Sequence, residues 1–182
     1  DPIKDTYGAL PVIYGTVISS LLAVIIALHL SLGSALFLTE LAPKSISTIV
    51  SFLIEMLADI PSVVYGLWGI FVLAPLLRSS LEPFLAKLFG SIPIFNSIFR
   101  GPFYGVGMLA AGTILAIMIT PTIACLSKEI FKGIPQFQRE AALALGATRW
   151  ETIRLAVLAP SRSGLIGATI LGLGRALGET MA

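Results

Sequence analysis

The chain has 182 residues, of which 56% are hydrophobic and only 12% are charged. Soluble globular domains carry roughly 25% charged residues, so this composition indicates an integral membrane protein. The net charge of +2 is too small and too dispersed to predict a nucleic-acid partner, and the single cysteine excludes an internal disulfide and a multi-cysteine metal site.

The first half of the chain contains two apolar segments that are predicted to cross the membrane. The first, at about 11–36, carries no formal charge and exceeds the roughly 20 residues that a helix needs to span the hydrocarbon core. The second lies at about 60–77. An amphipathic helix at about 45–58 precedes it, and Glu55 and Asp59 lie four residues apart on one helical face. We therefore expect that helix to lie along the membrane surface.

The second half contains the third and fourth predicted spans, at about 102–126 and 163–182. Gly174 and Gly178, like Ala168 and Gly172, have the four-residue spacing of small residues that lets helices approach closely in lipid, so we expect them to serve packing. The predicted fold class is all-α, a polytopic transmembrane helical bundle of about four spans in one domain over 1–182.

A polar-edged helical hairpin is predicted at about 128–160, between the third and fourth spans. Residues 140–142 are strong helix formers, and Gly146 can adopt the left-handed conformation that closes a helix. Thr148 lies three residues before Glu151, which is the spacing of a capping box. A second short helix is therefore predicted to start directly after Thr148.

Two ionisable residues, Arg175 and Glu179, lie within the fourth predicted span and are four residues apart, so they are predicted to share a helical face. Each would cost roughly 2.5 to 3.5 kcal/mol at the centre of a bilayer. One explanation is a structural ion pair buried against another helix. The other is a polar path in which the guanidinium offers a planar fork of donors to an oxyanion. Ionisable groups inside a membrane are usually functional, which favours the path.

The hairpin resembles a known family. Glu140, Ala141, Ala142 and Gly146 match the front half of the EAA signature of the membrane-spanning subunits of ATP-binding-cassette importers. The back half departs from the signature, since Pro160 falls one place later than usual. The resemblance implies the MetI-like permease bundle as the fold. It also implies that these four matching residues couple the chain to an ATPase.

Two further stretches, DIPSVVYGLWG at 59–69 and GRALGETMA at 174–182, resemble the phosphate branch of this family. The resemblance implies a permease subunit that passes inorganic phosphate across the cytoplasmic (inner) membrane of a bacterium or archaeon. For the substrate pathway, we predict that phosphate contacts Arg175 transiently, while Glu179 orients the guanidinium and prevents tight trapping. Phosphate importers have two kinds of permease subunit, and the ending Gly-Glu-Thr-Met-Ala resembles one kind, whereas the other, the PstA kind, usually reads Gly-Glu-Thr-Ala-Pro.

The partners follow from the same resemblance. They are a second permease subunit of the PstA kind, two ATP-binding-cassette ATPase subunits, a periplasmic or extracellular phosphate-binding protein, and the lipid bilayer. The sequence has no GxxxxGK[ST] loop, so ATP and Mg are expected on the partner ATPase, with no cofactor, metal or enzymatic reaction in this chain. Such subunits commonly have six spans, so by comparison one span before Asp1 and one after Ala182 are expected to be absent from this sequence.

Two alternatives stay open. A guanidinium recognises a tetrahedral anion by charge and shape, so sulfate, molybdate or phosphonate could replace phosphate as the substrate. The chain could also be a passive structural membrane subunit, in which case changes at Glu140 and Gly146 would be tolerated. An enzyme is disfavoured, because the sequence has one His and one Cys and no carboxylate pair beside a plausible nucleophile.

Overall fold

The computed structural model describes residues 8–81 and 107–179, and within these ranges the chain is helical and contains no strand. The predicted all-α fold class is therefore confirmed for the part of the chain that is described. The α-helices of four or more residues in this part are α1 Leu10–Leu36, α2 Lys44–Ala58, α3 Ser62–Trp68, α4 Met108–Lys132, α5 Gln136–Ala144, α6 Arg149–Thr152 and α7 Ala159–Leu177.

Turns of π-helix lengthen several of these helices. One such turn, Phe37–Leu41, extends α1, and two others, Gly69–Leu73 and Leu77–Leu81, flank the α-helical turn Ala74–Leu76 after α3. In the described ranges four helical stretches are long and apolar enough to cross a membrane, which confirms the predicted number. They are Leu10–Leu41, Ser62–Ser79, Met108–Lys132 and Arg149–Leu177. The chain is therefore a multi-pass membrane protein.

The third span differs from its predicted bounds. Helix α4 continues to Lys132, beyond the predicted end near 126, so the charged residues assigned to the start of the hairpin belong to this helix. The cause is the environment of Lys128, whose side chain is 5% exposed and forms an ion pair with Glu55 of α2. A charged residue that has an ion-pair partner can lie within a helix, so Lys128 does not mark the end of α4. The predicted beginning near 102 lies outside the described residues.

The predicted division between the hairpin and the fourth span, near 160–163, falls inside one continuous helical stretch. Helix α6 passes through the π-helical segment Ile153–Leu158 directly into α7, with Pro160 in the first turn of α7. Proline lacks the N–H that an α-helix would use there, and the wider hydrogen-bond pattern of a π-helical segment accommodates this loss. One continuous stretch of 29 residues, Arg149–Leu177, thus joins the hairpin to the far end of the fourth span.

Helices α1 and α4 run parallel. The hydroxyl of Ser31 donates to the carbonyl of Thr120 at 2.9 Å, and a Cβ added to Gly112 would lie 2.6 Å from the Leu22 side chain. The residue numbers therefore increase in the same direction along both helices, from the contact of Leu22 with Gly112 to that of Ser31 with Thr120. The core between the two helices is formed by fully buried residues, namely Ala23, Ala27, Met118, Ile119 and Ile123.

Helix α7 runs antiparallel to α4. A Cβ at Gly164 would meet Ile130 at 3.1 Å, whereas one at Gly172 would meet Ile123 at 2.6 Å. The packing role predicted for Gly172 is therefore confirmed, and the nearby Ala168 is buried. A Cβ at Gly174, in contrast, would meet no described atom within 4 Å, so the described residues show no packing contact for that glycine. The close approach leaves no room for a larger side chain at position 172 unless Ile123 moves.

The hairpin and one end of each of three helices lie together. Glu55 meets Lys128 and Gly69 faces Ile114, so the segment from α2 to α3 runs antiparallel to α4. The end of α1, the start of α2 and the end of α4 consequently lie beside α5 and α6, at what we name the hairpin end. The starts of α1 and α4 and the end of α7 lie at the opposite end.

Candidate functional site

Arg175 lies near the end of α7, and its guanidinium reaches across to two other helices. Its Nη1 donates to Thr122 Oγ1 of α4 at 2.7 Å. Nη1 and Nη2 both make longer contacts of 3.4 Å to the carbonyl oxygen of Ala58, the last residue of α2. Because Thr122 lies near the middle of α4, the charge sits well inside the bundle rather than at its rim.

The contacts of Arg175 with Ala58 provide a hydrogen-bond donor for a carbonyl group at the end of α2. The last carbonyls of a helix have no partner within that helix, and a cation near them is favourable. Arg175 serves the carbonyl of Ala58, and the hydroxyl of Tyr65 donates to the neighbouring carbonyl of Leu57 at 2.8 Å. Arg175 therefore has a structural role that the sequence pattern did not predict.

The structural role leaves part of the guanidinium unused. An arginine side chain has five N–H donors, and the bonds just described come from Nη1 and Nη2 only. Within the described residues, the Nε–H of Arg175 has no hydrogen-bond partner. Nε–H and one N–H of Nη2 form the side of the fork that binds an oxyanion in bidentate fashion. The geometry thus leaves a donor pair for a tetrahedral anion.

Glu179 lies beyond the last residue of α7, Leu177, so the helix that would place it on one face with Arg175 ends before it. Its surroundings are a cavity of about 350 Å³ at the opposite end. The cavity is lined by hydroxyl groups of α1, which include those of Ser19 and Ser20. The Ser20 hydroxyl is buried and has no partner among the described residues. The predicted action of Glu179 on the Arg175 guanidinium stays a prediction.

The turn of the hairpin has the predicted geometry. Gly146 has a φ of +87°, which is the left-handed conformation that closes α5. The Thr148 hydroxyl accepts from the Glu151 N–H at 3.3 Å, while the Glu151 carboxylate accepts from the Thr148 N–H at 2.7 Å. The capping box and the start of the second helix at Arg149 are therefore confirmed. Local sequence alone fixes this elbow.

The hairpin presents an exposed apolar surface around this elbow. Leu145, directly before Gly146, is 90% exposed, and Phe137 and Trp150 are 66% and 63% exposed. The EAA residues Glu140 and Ala141 are also exposed, and Ala142 is half-buried. A protruding group of apolar side chains outside a bundle is typical of a surface that contacts another protein.

An ion pair that the sequence pattern did not predict anchors the hairpin to α1. Arg139 of α5 donates from Nη2 to Glu40 Oε1 at 2.9 Å and from Nε at 3.2 Å, and both side chains are largely buried. Arg139 also donates to the carbonyls of Phe131 and Ile134 at 2.8 and 2.6 Å. The available signal was Glu40, the acidic residue that ends the first uncharged segment.

We expect Arg139→Lys to lower the stability of the protein by about 2 kcal/mol, because lysine has a single ammonium and cannot serve Glu40 and two carbonyls together. The measurement is the thermal unfolding midpoint of the purified protein in detergent. Arg154→Lys makes the same chemical change at an exposed position and is the matched control. Equal midpoints for the two variants would contradict the anchoring role.

Comparison with known proteins identifies a family and several relatives that this sequence resembles. The family described as binding-protein-dependent transport system inner membrane component matches residues 30–182. Across the whole chain the sequence is 46% identical to the phosphate transport system permease protein PstC of Mesorhizobium japonicum, 48% identical to that of Xylella fastidiosa (strain Temecula1) and 47% identical to that of Pasteurella multocida. The chain spans 56%, 56% and 57% of the lengths of these relatives.

These relatives carry the name of the phosphate branch, so the resemblance seen in the stretches at 59–69 and 174–182 is confirmed at the level of sequence similarity. The family match also includes the whole hairpin, with Glu140 and Gly146, and the helix that carries Arg175. Since it extends over most of the sequence, the chain belongs to the family of binding-protein-dependent transport system inner membrane components.

Proposed function

We propose that this chain is part of the permease subunit of an ATP-driven importer that moves inorganic phosphate across the cytoplasmic membrane of a bacterium or archaeon. The observation that carries the proposal is the 46–48% identity, over the whole chain, to relatives named as phosphate transport system permease proteins. The partly buried guanidinium of Arg175 supports it, because this group suits a tetrahedral oxyanion.

In the proposed pathway, phosphate contacts the unused side of the Arg175 fork. Thr122 and Ala58 hold the guanidinium in place, so it need not reorganise when the anion arrives. The anion meets a single guanidinium that is already partly engaged, which favours brief rather than tight binding. The Glu179 carboxylate also repels an anion, and its proposed role is to prevent trapping near the opposite end.

The proposed coupling uses the hairpin. Glu140, Ala141, Ala142 and Gly146 would dock with the exposed apolar side chains into a groove on an ATPase subunit. A movement of the docked hairpin would reach Arg175 through the uninterrupted helical stretch Arg149–Leu177. ATP and Mg would bind to the ATPase, and this chain would catalyse no reaction of its own.

The proposed assembly contains a second permease subunit of the PstA kind, two ATPase subunits and a periplasmic or extracellular phosphate-binding protein. The large apolar side chains on the outside of the bundle are consistent with contacts to lipid and to a second permease subunit. Ile25, Ile166 and Ile170, for example, are 59%, 61% and 62% exposed.

The test is uptake of radiolabelled phosphate by cells that lack their own high-affinity system and express the complete importer, including the full-length subunit that contains this chain. We expect ATP-dependent uptake that excess sulfate or molybdate does not reduce. Inhibition by sulfate or molybdate would assign the permease to another oxyanion, and no uptake of any oxyanion would leave a passive structural subunit.

A further inference from the structure

A cationic cavity lies between α2 and α4 at the hairpin end. Its volume is about 510 Å³, and three lysines line it, Lys44 at the start of α2 and Lys128 and Lys132 near the end of α4. Hydroxyl groups of α2 line the same cavity; they belong to Ser47, Thr48 and Ser51. The cavity has no role in the proposed pathway through Arg175.

Lys128 is the fixed charge of this cavity. Its side chain is 5% exposed, and its Nζ donates to Glu55 Oε1 at 2.6 Å, with Glu129 Oε1 at 3.8 Å. The hydrogen bond from Lys128 holds the pKa of Glu55 below its ordinary value of 4.5, which favours the carboxylate form of Glu55 at neutral pH. An ammonium has three N–H donors, and the hydrogen bond to Glu55 uses one of them. The Lys128 ammonium therefore keeps further N–H donors for a ligand, and its burial holds it in position.

Ser51 supplies a hydroxyl donor to the cavity. Its side chain lines the cavity and is nine-tenths buried, yet its hydroxyl has no hydrogen-bond partner in the described part of the chain. The Ser51 hydroxyl can therefore donate a hydrogen bond to a ligand in the cavity. Ser47 and Thr48, in contrast, donate to the carbonyls of Leu38 and Lys44.

The charges around the cavity favour an anion. The lining contains three lysines and one carboxylate, that of Glu55, which leaves an excess of positive charge. Glu129 lies beside the cavity and offsets part of this excess through its 3.1 Å ion pair with Lys132. Lys44 is exposed and forms no ion pair within the described residues, so its ammonium can turn towards a ligand.

The cavity and Arg175 lie in the same groove between α2 and α4, with the cavity closer to the hairpin end. The guanidinium lies against Thr122 of α4 and the end of α2, and Lys128 is six residues further along α4, which corresponds to about 9 Å of helix. Both cations lie in the groove between α2 and α4. An anion leaving Arg175 towards the hairpin end would therefore meet Lys128 next.

We propose that this cavity is a second oxyanion site, which binds a phosphate group at the hairpin end of the α2–α4 groove. The shared chemistry is a tetrahedral phosphate, either free inorganic phosphate or the headgroup of an anionic lipid. The idea that phosphate leaving Arg175 binds here next rests on the proposed function. Binding of a phosphate group to the cavity does not depend on that function.

The test compares binding of inorganic [32P]phosphate to the complete importer, purified in a neutral detergent without its phosphate-binding protein. An Arg175→Gln background removes the proposed pathway contact, so that the remaining binding reports on the cavity. We expect the double variant Lys44→Gln/Lys132→Gln to weaken this binding about tenfold or more, since each lysine contributes charge-assisted hydrogen bonds. Arg162→Gln removes an exposed positive charge of α7 outside the cavity and is the matched control.

A second arm distinguishes the two sources of phosphate. The same proteins are placed in nanodiscs of phosphatidylcholine with or without phosphatidylglycerol, and the retained phosphatidylglycerol is measured by native mass spectrometry. A lysine-dependent loss of [32P]phosphate binding assigns free phosphate, and a lysine-dependent loss of phosphatidylglycerol alone assigns the lipid headgroup. If neither ligand depends on the lysines, the site is overturned. Because binding is measured without uptake, failure of the proposed transport function gives a separate result.

Discussion

Replacing Arg175 by glutamine is expected to reduce phosphate uptake by at least about tenfold while the importer still assembles. Glutamine keeps a hydrogen-bonding side chain but removes the charge and the paired donors, and hydrogen bonds to charged groups are worth roughly 1.5 to 3 kcal/mol. A loss of that size in the transport step corresponds to a tenfold or larger effect. The measurement is the initial rate of radiolabelled phosphate uptake, normalised to the amount of assembled importer in the membrane.

The control for Arg175 must separate transport from support of α2. Tyr65→Phe removes the other side chain that donates to the end of α2, at Leu57, without removing a charge. We expect Tyr65→Phe to lower the thermal unfolding midpoint and to leave the uptake rate per assembled importer nearly unchanged. If Arg175→Gln behaves like Tyr65→Phe in both measurements, Arg175 is only a structural residue and the proposed pathway is wrong.

The elements that the sequence predicted correctly are those set by local chemistry. The four uncharged or weakly charged stretches became helices of spanning length, because composition and length suffice for that prediction. The elbow at Gly146 and the capping box of Thr148 and Glu151 were equally predictable, since each depends on residues at most a few positions apart. The position of the hairpin elbow along the chain thus follows from its amino acids alone.

The contacts that organise the candidate sites could not be predicted in this way. Arg175 bonds to residues 53 and 117 positions away, Arg139 to Glu40 across 99 positions, and Lys128 to Glu55 across 73. A pattern over neighbouring residues carries no information about which distant helices will pack together. The continuity of the hairpin with the fourth span was also not predicted, since the π-helical segment before Pro160 has no clear sequence signal.

Those long-range contacts give the coupling proposal its physical basis. The Glu40–Arg139 pair fixes α5 to the end of α1, whereas the second arm of the hairpin is continuous with α7. A displacement of the elbow would therefore be resisted on one side and passed to Arg175 on the other. The two arms are joined by the non-helical residues 145–148, which include Gly146, so a change in their relative angle requires backbone rotation in this turn.

Gly146→Val is accordingly expected to reduce phosphate uptake per ATP hydrolysed by about tenfold. The φ of +87° places position 146 in the left-handed region, which costs an L-residue roughly 1 to 2 kcal/mol and is least accessible to a β-branched side chain. A Cβ at this position would meet no described atom within 4 Å, so the effect would come from the backbone and not from a clash within this part of the chain. The measurement is uptake and ATPase activity of the same importer reconstituted in liposomes.

Gly146→Asn is the matched control, because asparagine adds a side chain of similar size but tolerates the left-handed conformation. We expect the asparagine variant to keep most of the coupled uptake, and the valine variant to hydrolyse ATP without matching transport. Equal losses in both variants would mean that the ATPase groove rejects any side chain at position 146. Coupled uptake in both would show that the angle of the elbow does not control transmission from the ATPase to α7.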